Sequence, residues 1–271
     1  MGVAWLNAAH QVIDSSPRIL DDPVVVRLVG TTVEAIAEHH ELFQSPGARE
    51  LRAHVVLRTR FAEDQLEEAV RIGVRQYVSL GAGFETFAYR QPAWAAALRV
   101  FEVDQPATQA VKRQRLTAAG VSAPQNLIYV PIDFEAESLR DGLHRGGVQL
   151  DQPAFLAWLG VTMYLTEPAI DTVLRTVVAL PPLTEIAFTF AQPGAPAGDA
   201  ARGPSPAERA AAVGEPRVTF FEPDALERKL TTLGFSTVRF LAPPEASALY
   251  FQNRADDLPA PTRTSIVTAR V

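Results

Sequence analysis

A short apolar segment, a glycine turn and a pair of acids about 20 residues further on constrain the fold of this chain more than any other feature. Residues 75–90 read RQYVSLGAGFETFAYR and residues 101–106 read FEVDQP. In nucleoside-binding α/β units the glycines let backbone approach the ligand, and a carboxylate accepts hydrogen bonds from ribose hydroxyls. The pattern therefore predicts the first half of such a unit, with an adenosine cofactor. A tight strand-to-helix turn without a ligand is the structural alternative.

The residues after the glycine turn discriminate between cofactors. A dinucleotide site needs a third glycine, where the helix packs closely on the strand and its N-terminus faces a pyrophosphate. Here that place falls at Thr86, after Phe84 and Glu85. A carboxylate near a pyrophosphate adds like-charge repulsion, whereas a sulfonium and an ammonium group favour it. The turn thus favours S-adenosylmethionine over NAD.

Five ordered segments resemble motifs of the leucine carboxyl methyltransferase family, and the resemblance extends over roughly residues 17–190. The segments are LRTRFAED at 57–64, LGAGFETFAYR at 80–90, FEVDQP at 101–106, VPIDF at 130–134 and WLGVTMYL at 158–165. The resemblance implies a Rossmann-like class I methyltransferase fold. It also implies transfer of a methyl group from S-adenosylmethionine to a carboxyl or hydroxyl oxygen of a small molecule, with S-adenosylhomocysteine as the product.

The same resemblance assigns site residues. Arg58 matches the arginine that holds the cofactor carboxylate, Asp104 the ribose contact, and Asp133 lies in the segment that closes over the adenine. The cofactor-binding set predicted from the motifs and the strand-end acids is Arg58, Gly81, Ala82, Gly83, Glu85, Glu102, Asp104, Asp133, Phe134 and Leu159. The predicted substrate-binding set is Tyr89, Trp158, Met163 and Tyr164, of which the two tyrosines are candidates for positioning the acceptor. The pattern identifies no catalytic residue.

Two positions depart from the family pattern. Glu85 stands where the family usually has aspartate, which keeps the charge on a longer side chain. Leu159 stands where the family usually has a glutamate that contacts the cofactor, so that carboxylate is absent here. Cofactor affinity or substrate class is therefore expected to differ from the family pattern.

Each predicted site residue also has a structural interpretation. Arg58 lies on a predicted helix, where it could pair with Glu63 or Asp64 on the helix surface. Glu102 is expected on the same side of its strand as Asp104, where it would either bind ribose or brace the loop. The carboxylate of Asp133 either caps a helix or accepts the adenine amino group. The aromatic side chains are of a type that more often packs in the core than lines a pocket.

Composition excludes several other classes of protein. The 271 residues, of which 47% are apolar and 21% charged, suffice for one substantial α/β domain. The chain has no cysteine, and the adjacent His39 and His40 point about 100° apart on a helix, so no metal site is predicted. A net charge of −6 argues against nucleic-acid binding. Without a long apolar run or a signal-peptide pattern, we expect no membrane association and a cytoplasmic location.

Apolar periodicity predicts helices first and then an alternation of strands and helices. Helices are expected at residues 4–13, at 22–43 and from residue 45 to about 72, and strands near Tyr77, Val100, Ile128, Leu156 and Ile186. Further helices are expected near 93–97, 107–119, 135–144, 167–180 and 222–233. Two late strands at 235–241 and 264–271 would form an antiparallel hairpin. The fold class is thus α/β, a mostly parallel seven-stranded sheet with an antiparallel C-terminal strand.

This organisation divides the chain into an N-terminal helical cap, residues 1–73, and a cofactor-binding core, residues 74–271, within one compact domain. Residues 192–216 are rich in Pro, Gly and Ala and are interpreted as a lid or loop insertion, with a plain linker as the alternative.

The expected reaction is in-line displacement on the sulfonium methyl by a small-molecule acid or phenol. A carboxylate acceptor is ionised at neutral pH and needs no general base, which suits a site without an obvious catalytic histidine. An NAD-dependent oxidoreductase and a cofactor-binding protein without transferase activity are the alternatives. The sequence leaves open whether the chain is a monomer or a homodimer.

Overall fold

A seven-stranded sheet organises the molecule. The computed structural model describes residues 2–133, 137–194, 217–256 and 258–271. The strands are β1 Gln76–Leu80, β2 Arg99–Asp104, β3 Leu127–Pro131, β4 Phe155–Trp158, β5 Glu185–Thr189, β6 Thr237–Phe240 and β7 Ile266–Arg270. Their order in the sheet is β3-β2-β1-β4-β5-β7-β6. Strands β1 to β5 pair in parallel, and β7 lies antiparallel between β5 and β6, which confirms the predicted fold class.

The order of the strands reverses between β1 and β4, and this point positions the site. In open parallel sheets a crevice forms there at the carboxyl ends of the strands, because the connections leave to opposite sides. The helices that flank the sheet are α4 Pro46–Arg71, α5 Pro106–Ala118, α6 Leu139–Arg145, α7 Glu167–Val178, α8 Pro223–Leu233 and α9 Pro243–Tyr250. The helices α1 Gly2–Ile13, α2 Val25–Leu28 and α3 Val33–Glu38 precede them.

Both faces of the sheet are covered, since alternate residues of each strand pack on opposite sides. On β4, Leu156 and Trp158 join a core that includes α6, α7 and α8, whereas Phe155 and Ala157 pack with residues of α4. Helix α4 begins at a proline that follows the cap residue Ser45, whose hydroxyl accepts a hydrogen bond from the backbone of Ala48 at 3.3 Å.

The predicted helix at 22–43 is wrong as a single element. The structure has α2, α3 and a 3₁₀ turn at His40–Phe43 in its place. Gly30 adopts a left-handed φ of +77°, which ends the first piece, and the hydroxyl of Thr32 caps the second by accepting from Ala35 at 3.2 Å. The helix end at Gly30 and the N-cap at Thr32 thus outweigh the apolar periodicity on which the prediction rested.

The C-terminal strands pair antiparallel as predicted but do not form a hairpin. Helix α9 lies between β6 and β7, and the sequence analysis missed it. Two consecutive prolines, Pro243 and Pro244, suggest a loop, yet proline is well suited to the first turn of a helix because that turn needs no N–H donor.

Other boundaries shift by a few residues. The segment near 93–97 forms only a 3₁₀ turn at Ala93–Ala95, and α6 begins at Leu139, with residues 134–136 outside the described part. Of the predicted lid at 192–216, only 192–194 are described. All regular elements before residue 74 in the described chain are helical. The division into a helical cap, residues 1–73, and a cofactor-binding core, residues 74–271, stays a prediction. No described helix is long and apolar enough to cross a bilayer.

Candidate active site

The predicted cofactor residues come together at the carboxyl ends of the four parallel strands β1 to β4. Gly81, Ala82 and Gly83 follow β1, Asp104 ends β2, Asp133 follows β3 and Leu159 follows β4. This is the edge at which the strand order reverses. The topology therefore brings four of the five predicted motifs to one edge of the sheet, and the fifth, residues 57–64, lies on α4.

The glycine turn is fixed by backbone contacts with β2. The N–H groups of Gly81 and Ala82 both donate to the carbonyl of Val103, at 2.8 and 3.1 Å. Gly81 and Gly83 have φ values of +65° and +49°, and a Cβ atom at Gly81 would stand 2.7 Å from Cγ2 of Val161. Glycine is thus required at Gly81 both by backbone conformation and by the close approach of the segment after β4.

Asp104 lies at the mouth of this turn. Its two carboxylate oxygens accept hydrogen bonds from the backbone N–H groups of Gly83 at 2.5 Å and Gln105 at 2.7 Å. A carboxylate can accept about four hydrogen bonds, so two places remain for hydroxyl donors. The side chain is held in one orientation by the backbone N–H groups of Gly83 and Gln105, which is compatible with the predicted ribose contact.

Glu102 points to the same side of β2 but lies deeper. Its side chain is 1% exposed and its Oε2 accepts from Lys112 Nζ at 2.7 Å, while Oε1 has no partner in the described structure. Burial raises the pKa of Glu102 to about 7, and Glu85 and Asp104 add to the rise while Lys112 opposes it. The contact with Lys112 braces α5 against the sheet, and the two roles expected of Glu102, binding ribose or bracing the loop, stay predictions.

Two further cofactor candidates, Glu85 and Asp133, lie around the cleft. The Glu85 carboxylate accepts from the backbone of Phe87 at 3.1 Å and so holds the turn after the glycines. Asp133 is exposed after β3, and its carbonyl accepts from the backbone of Glu137. Phe134 lies outside the described residues. The roles assigned to these three residues stay predictions.

Arg58 presents a buried positive charge to the cleft. It is 8% exposed, and its Nε has no hydrogen-bond partner among the described residues. A Cβ atom at Gly160, where φ is +78°, would stand 2.7 Å from both Nη atoms of Arg58. Burial lowers the pKa of Arg58 to about 10, which still leaves it charged at neutral pH.

The structural interpretation of Arg58 does not hold in the described chain. Glu63 pairs with Arg90 and Asp64 with Arg60, so neither neighbouring acid neutralises Arg58. An arginine this deeply buried without a carboxylate is costly to the fold. The cost is understandable when a bound carboxylate completes the pair, because the planar guanidinium holds two oxygens at once.

The segment after β4 is held from behind by Thr189 of β5. Its hydroxyl accepts from the backbone of Gly160 at 2.7 Å, and its carbonyl accepts from the hydroxyl of Thr162 at 2.5 Å. These two bonds fix Gly160 against Arg58. Leu159 is partly buried and packs on the β1–β4 core, so it brings no polar group to the position where the family has a glutamate.

The four predicted substrate residues do not share one environment. Trp158 is buried and packs against Phe188, and Met163 is also buried, whereas Tyr164 is 36% exposed. Tyr89 hydrogen-bonds the hydroxyl of Tyr129 at 2.5 Å on the β2–β3 side, and burial raises its pKa. Of the four, Tyr164 is the most exposed, and it lies within electrostatic reach of Arg58.

Sequence reasoning missed a buried network beneath the glycine turn. The Arg90 guanidinium donates to both oxygens of Glu63 and, through Nε, to the hydroxyl of Thr86 at 3.1 Å. Thr86 in turn donates to Asp22 Oδ2 at 2.5 Å. The glycine turn is thus tied to α4 and, through Asp22, to the residues that start α2.

His54 was also missed, although its position one helical turn before Arg58 is a usable signal. Burial, with Arg58 and Arg217 adding to the effect, lowers the pKa of His54 to about 3. The imidazole is therefore neutral at physiological pH. A neutral histidine beside two arginines can accept or donate a hydrogen bond without adding charge.

The lowered pKa of His54 leads to a prediction about stability. Below pH 6.5 the unfolded chain binds a proton that the folded chain excludes, so the free energy of unfolding falls as the pH falls toward 3. The variant His54→Asn lacks this contribution. Between pH 6.5 and 5 its free energy of unfolding should therefore fall less steeply than that of wild type, by up to about 1.4 kcal/mol per pH unit. Urea unfolding across this range measures the slopes. The control His144→Asn removes an exposed histidine and should keep the wild-type slope; equal slopes in all three proteins would contradict the prediction.

The sheet order and the cleft define the class of this protein: it has the architecture of the class I S-adenosylmethionine-dependent methyltransferases. A DUF574 family protein from Streptomyces avermitilis matches at a TM-score of 0.57 and 17% identity, over 90% of this chain and 94% of that one. A proposed methyltransferase from Thermobifida fusca YX matches at a TM-score of 0.55 and 17% identity, over 90% and 92%. At these identities the likeness establishes the fold alone.

The chain belongs to the leucine carboxyl methyltransferase family, whose model matches residues 1–178. It is 34% identical over 206 residues to YktD of Bacillus subtilis strain 168, covering 75% of this chain and 67% of YktD. It is 32% identical over 196 residues to a protein of Mycobacterium avium strain 104, covering 69% of this chain and 64% of that protein. Both are named as proposed S-adenosyl-L-methionine-dependent methyltransferases, and a similar relative from Parafrankia is covered over 58% of its length.

These comparisons confirm the predicted family and its cofactor, S-adenosylmethionine. The chain spans 58 to 67% of the length of these curated relatives. The cleft fits the cofactor on two structural grounds: the buried Arg58 lacks an anion among the described groups, and Gly81 and Gly160 keep space that a side chain would fill.

Proposed function

We propose that this chain methylates an oxygen atom, a carboxylate or a hydroxyl, of a small molecule. The observation that carries the proposal is the buried guanidinium of Arg58, which no described acid neutralises, against Gly160 at the edge where the glycine turn and Asp104 meet. Such a cation matches the carboxylate of an amino-acid-bearing cofactor. A nicotinamide dinucleotide would instead bring its pyrophosphate to a turn that carries Glu85.

When bound, S-adenosylmethionine supplies an electrophilic methyl group, which an acceptor oxygen takes up by in-line displacement. The chain itself contributes positioning and electrostatics. Arg58 would hold the carboxylate end, Asp104 the ribose hydroxyls, and the segment 160–164 would border the acceptor. His54 is a weak base because burial and the nearby arginines lower its pKa to about 3, so a carboxylate, which needs no deprotonation, is the favoured acceptor.

Calorimetric titration with S-adenosylhomocysteine and NADH tests the cofactor half of the proposal. The variant Asp104→Ala lacks the carboxylate that would accept hydrogen bonds from the ribose hydroxyls. It should therefore bind S-adenosylhomocysteine about 10- to 150-fold more weakly than wild type. The matched control Asp151→Ala removes an exposed carboxylate before β4, at the opposite end of the strand, and should bind normally. Binding of NADH alone would overturn the proposal in favour of an oxidoreductase.

The acceptor half is tested by the chemistry of the product. After incubation with radiolabelled S-adenosylmethionine and paired acids and phenols, alkali releases labelled methanol from methyl esters but not from methyl ethers. Alkali-labile label indicates carboxyl transfer and stable label hydroxyl transfer. Cofactor binding with no transfer to either series would favour a binding protein without transferase activity.

A further inference from the structure

A second arginine lies beside the segment after β4. The backbone of residues 217–221 runs along that segment: Val218 N–H donates to the carbonyl of Met163 at 2.8 Å, and the Thr219 hydroxyl donates to the carbonyl of Leu165 at 2.6 Å. These two bonds place residue 217 next to Met163, and hence next to Tyr164. Arg217 thereby borders the part of the cleft that lies beside Arg58.

Arg217 resembles Arg58 in having no counter-ion among the described residues. Its Nε is buried and has no hydrogen-bond partner among the residues that the structure describes, and no described carboxylate pairs with it. Its charge also lowers the pKa of Arg58 and, with Arg58, that of His54, so the three groups lie within electrostatic reach of one another. The end of the described cleft beside Arg58 therefore carries two cations and one neutral imidazole, whereas the carboxylates of Asp104 and Glu85 lie at the glycine turn.

One bound carboxylate does not balance this charge. S-Adenosylmethionine has one carboxylate, one ammonium and one sulfonium group, so it enters the cleft with a net charge of about +1 at neutral pH. If its carboxylate pairs with Arg58, Arg217 is left without a counter-ion among the described residues. A second anion close to Arg217 would be favoured on electrostatic grounds.

We infer that Arg217 binds the acceptor, pairing with the carboxylate that is methylated, while Tyr164 and His54 border the same pocket. This inference rests on the proposed function, because it assumes that Arg58 is taken by the cofactor. A planar carboxylate matches the guanidinium fork, and a single negative charge matches the single cation left over.

The same contact distinguishes substrate from product. A carboxylate oxygen forms a bond to the methyl carbon as the carbon–sulfur bond breaks and its electron pair stays on sulfur. The products are a neutral ester and S-adenosylhomocysteine, and no proton is transferred. Arg217 pairs with the anionic substrate but not with the ester, so product release follows from the loss of charge.

Binding to protein saturated with S-adenosylhomocysteine tests this assignment, because that ligand already occupies Arg58. The probes are benzoate, phenylacetate and hexanoate, each beside its neutral methyl ester, and inorganic phosphate. We expect at least one carboxylate to bind wild type more tightly than its ester and to lose about tenfold or more in affinity in Arg217→Met. Arg217→Lys, which keeps the charge, should recover part of the loss.

The controls separate this inference from the proposed function. S-Adenosylhomocysteine should bind Arg217→Met as it binds wild type, which also shows that the variant is folded, and Arg228→Met removes an exposed arginine of α8 without effect. If the cofactor product binds but no carboxylate does, or carboxylates bind Arg217→Met unchanged, the inference is wrong and the cofactor site stands. Phosphate bound more tightly than any carboxylate would contradict the carboxylate assignment. Failure of S-adenosylhomocysteine to bind wild type would defeat the proposed function itself.

Discussion

Arg58→Met is expected to make the unliganded protein more stable while removing its ability to be stabilised by S-adenosylhomocysteine. The guanidinium is buried, its Nε is unpartnered within the described chain, and no described acid neutralises it. Methionine fills a similar volume without a charge to desolvate, so the free energy of unfolding should rise by about 1 to 4 kcal/mol. Affinity for S-adenosylhomocysteine should fall by about 30- to 1000-fold, the loss of a buried charge-assisted pair.

Thermal unfolding with and without S-adenosylhomocysteine measures both effects in one experiment, since a ligand that binds only the folded state raises the melting temperature. Arg71→Met is the matched control, because it removes an exposed arginine from the same helix. It should leave both melting temperatures nearly unchanged. An Arg58→Met protein that is less stable than wild type, yet still binds the ligand, would show that Arg58 is a structural residue.

Asp22→Ala is expected to cause the largest loss of stability. Asp22 is fully buried, and its carboxylate accepts from the Asn7 side chain at 2.8 Å, from the Thr86 hydroxyl at 2.5 Å and from the backbone of Val24 and Val25. Alanine would leave these donors without their acceptor, and the Arg90 guanidinium 3.7 Å away would lose one of its two acids. The expected loss is about 3 to 5 kcal/mol in the free energy of unfolding.

The neighbouring residue provides the control for this variant. Asp21 has an 81% exposed side chain and only a 4.0 Å contact with Arg18, so Asp21→Ala should change stability by no more than about 0.5 kcal/mol. Asp22→Asn, which retains an acceptor oxygen, should lie between the two. Urea unfolding curves that coincide for Asp21→Ala and Asp22→Ala would refute the role assigned to the buried network.

Local patterns predicted the elements that depend on local information. Apolar runs separated by turn residues predict the five parallel strands. The spacing along the chain predicts the glycine turn and its distant acid. The same spacing could not separate Glu102 from Asp104. What separates them is Lys112, which lies ten residues on and pairs with Glu102 only once α5 packs on the sheet.

The parts that escaped prediction depend on contacts between distant residues. Asp22, Glu63 and Arg90 are far apart in sequence, and nothing in their neighbourhoods indicates that they share one network. Arg217 follows a segment without apolar periodicity, so only the pairing of residues 218–219 with 163–165 reveals its location. The helix α9 was hidden by a proline pair that favours a loop as much as a helix start.

The long helix α4 imposes a constraint on how such a chain can change its length. Three of its residues make buried contacts with different parts of the molecule: Arg52 with Asp14 of the first helical region, Arg58 with the cleft at Gly160, and Glu63 with Arg90. Each added residue turns the rest of a helix by about 100° and advances it by about 1.5 Å. A single insertion between Arg52 and Glu63 would therefore put these contacts out of phase with one another, so the spacing along this helix is fixed and length variation is confined to the connecting loops.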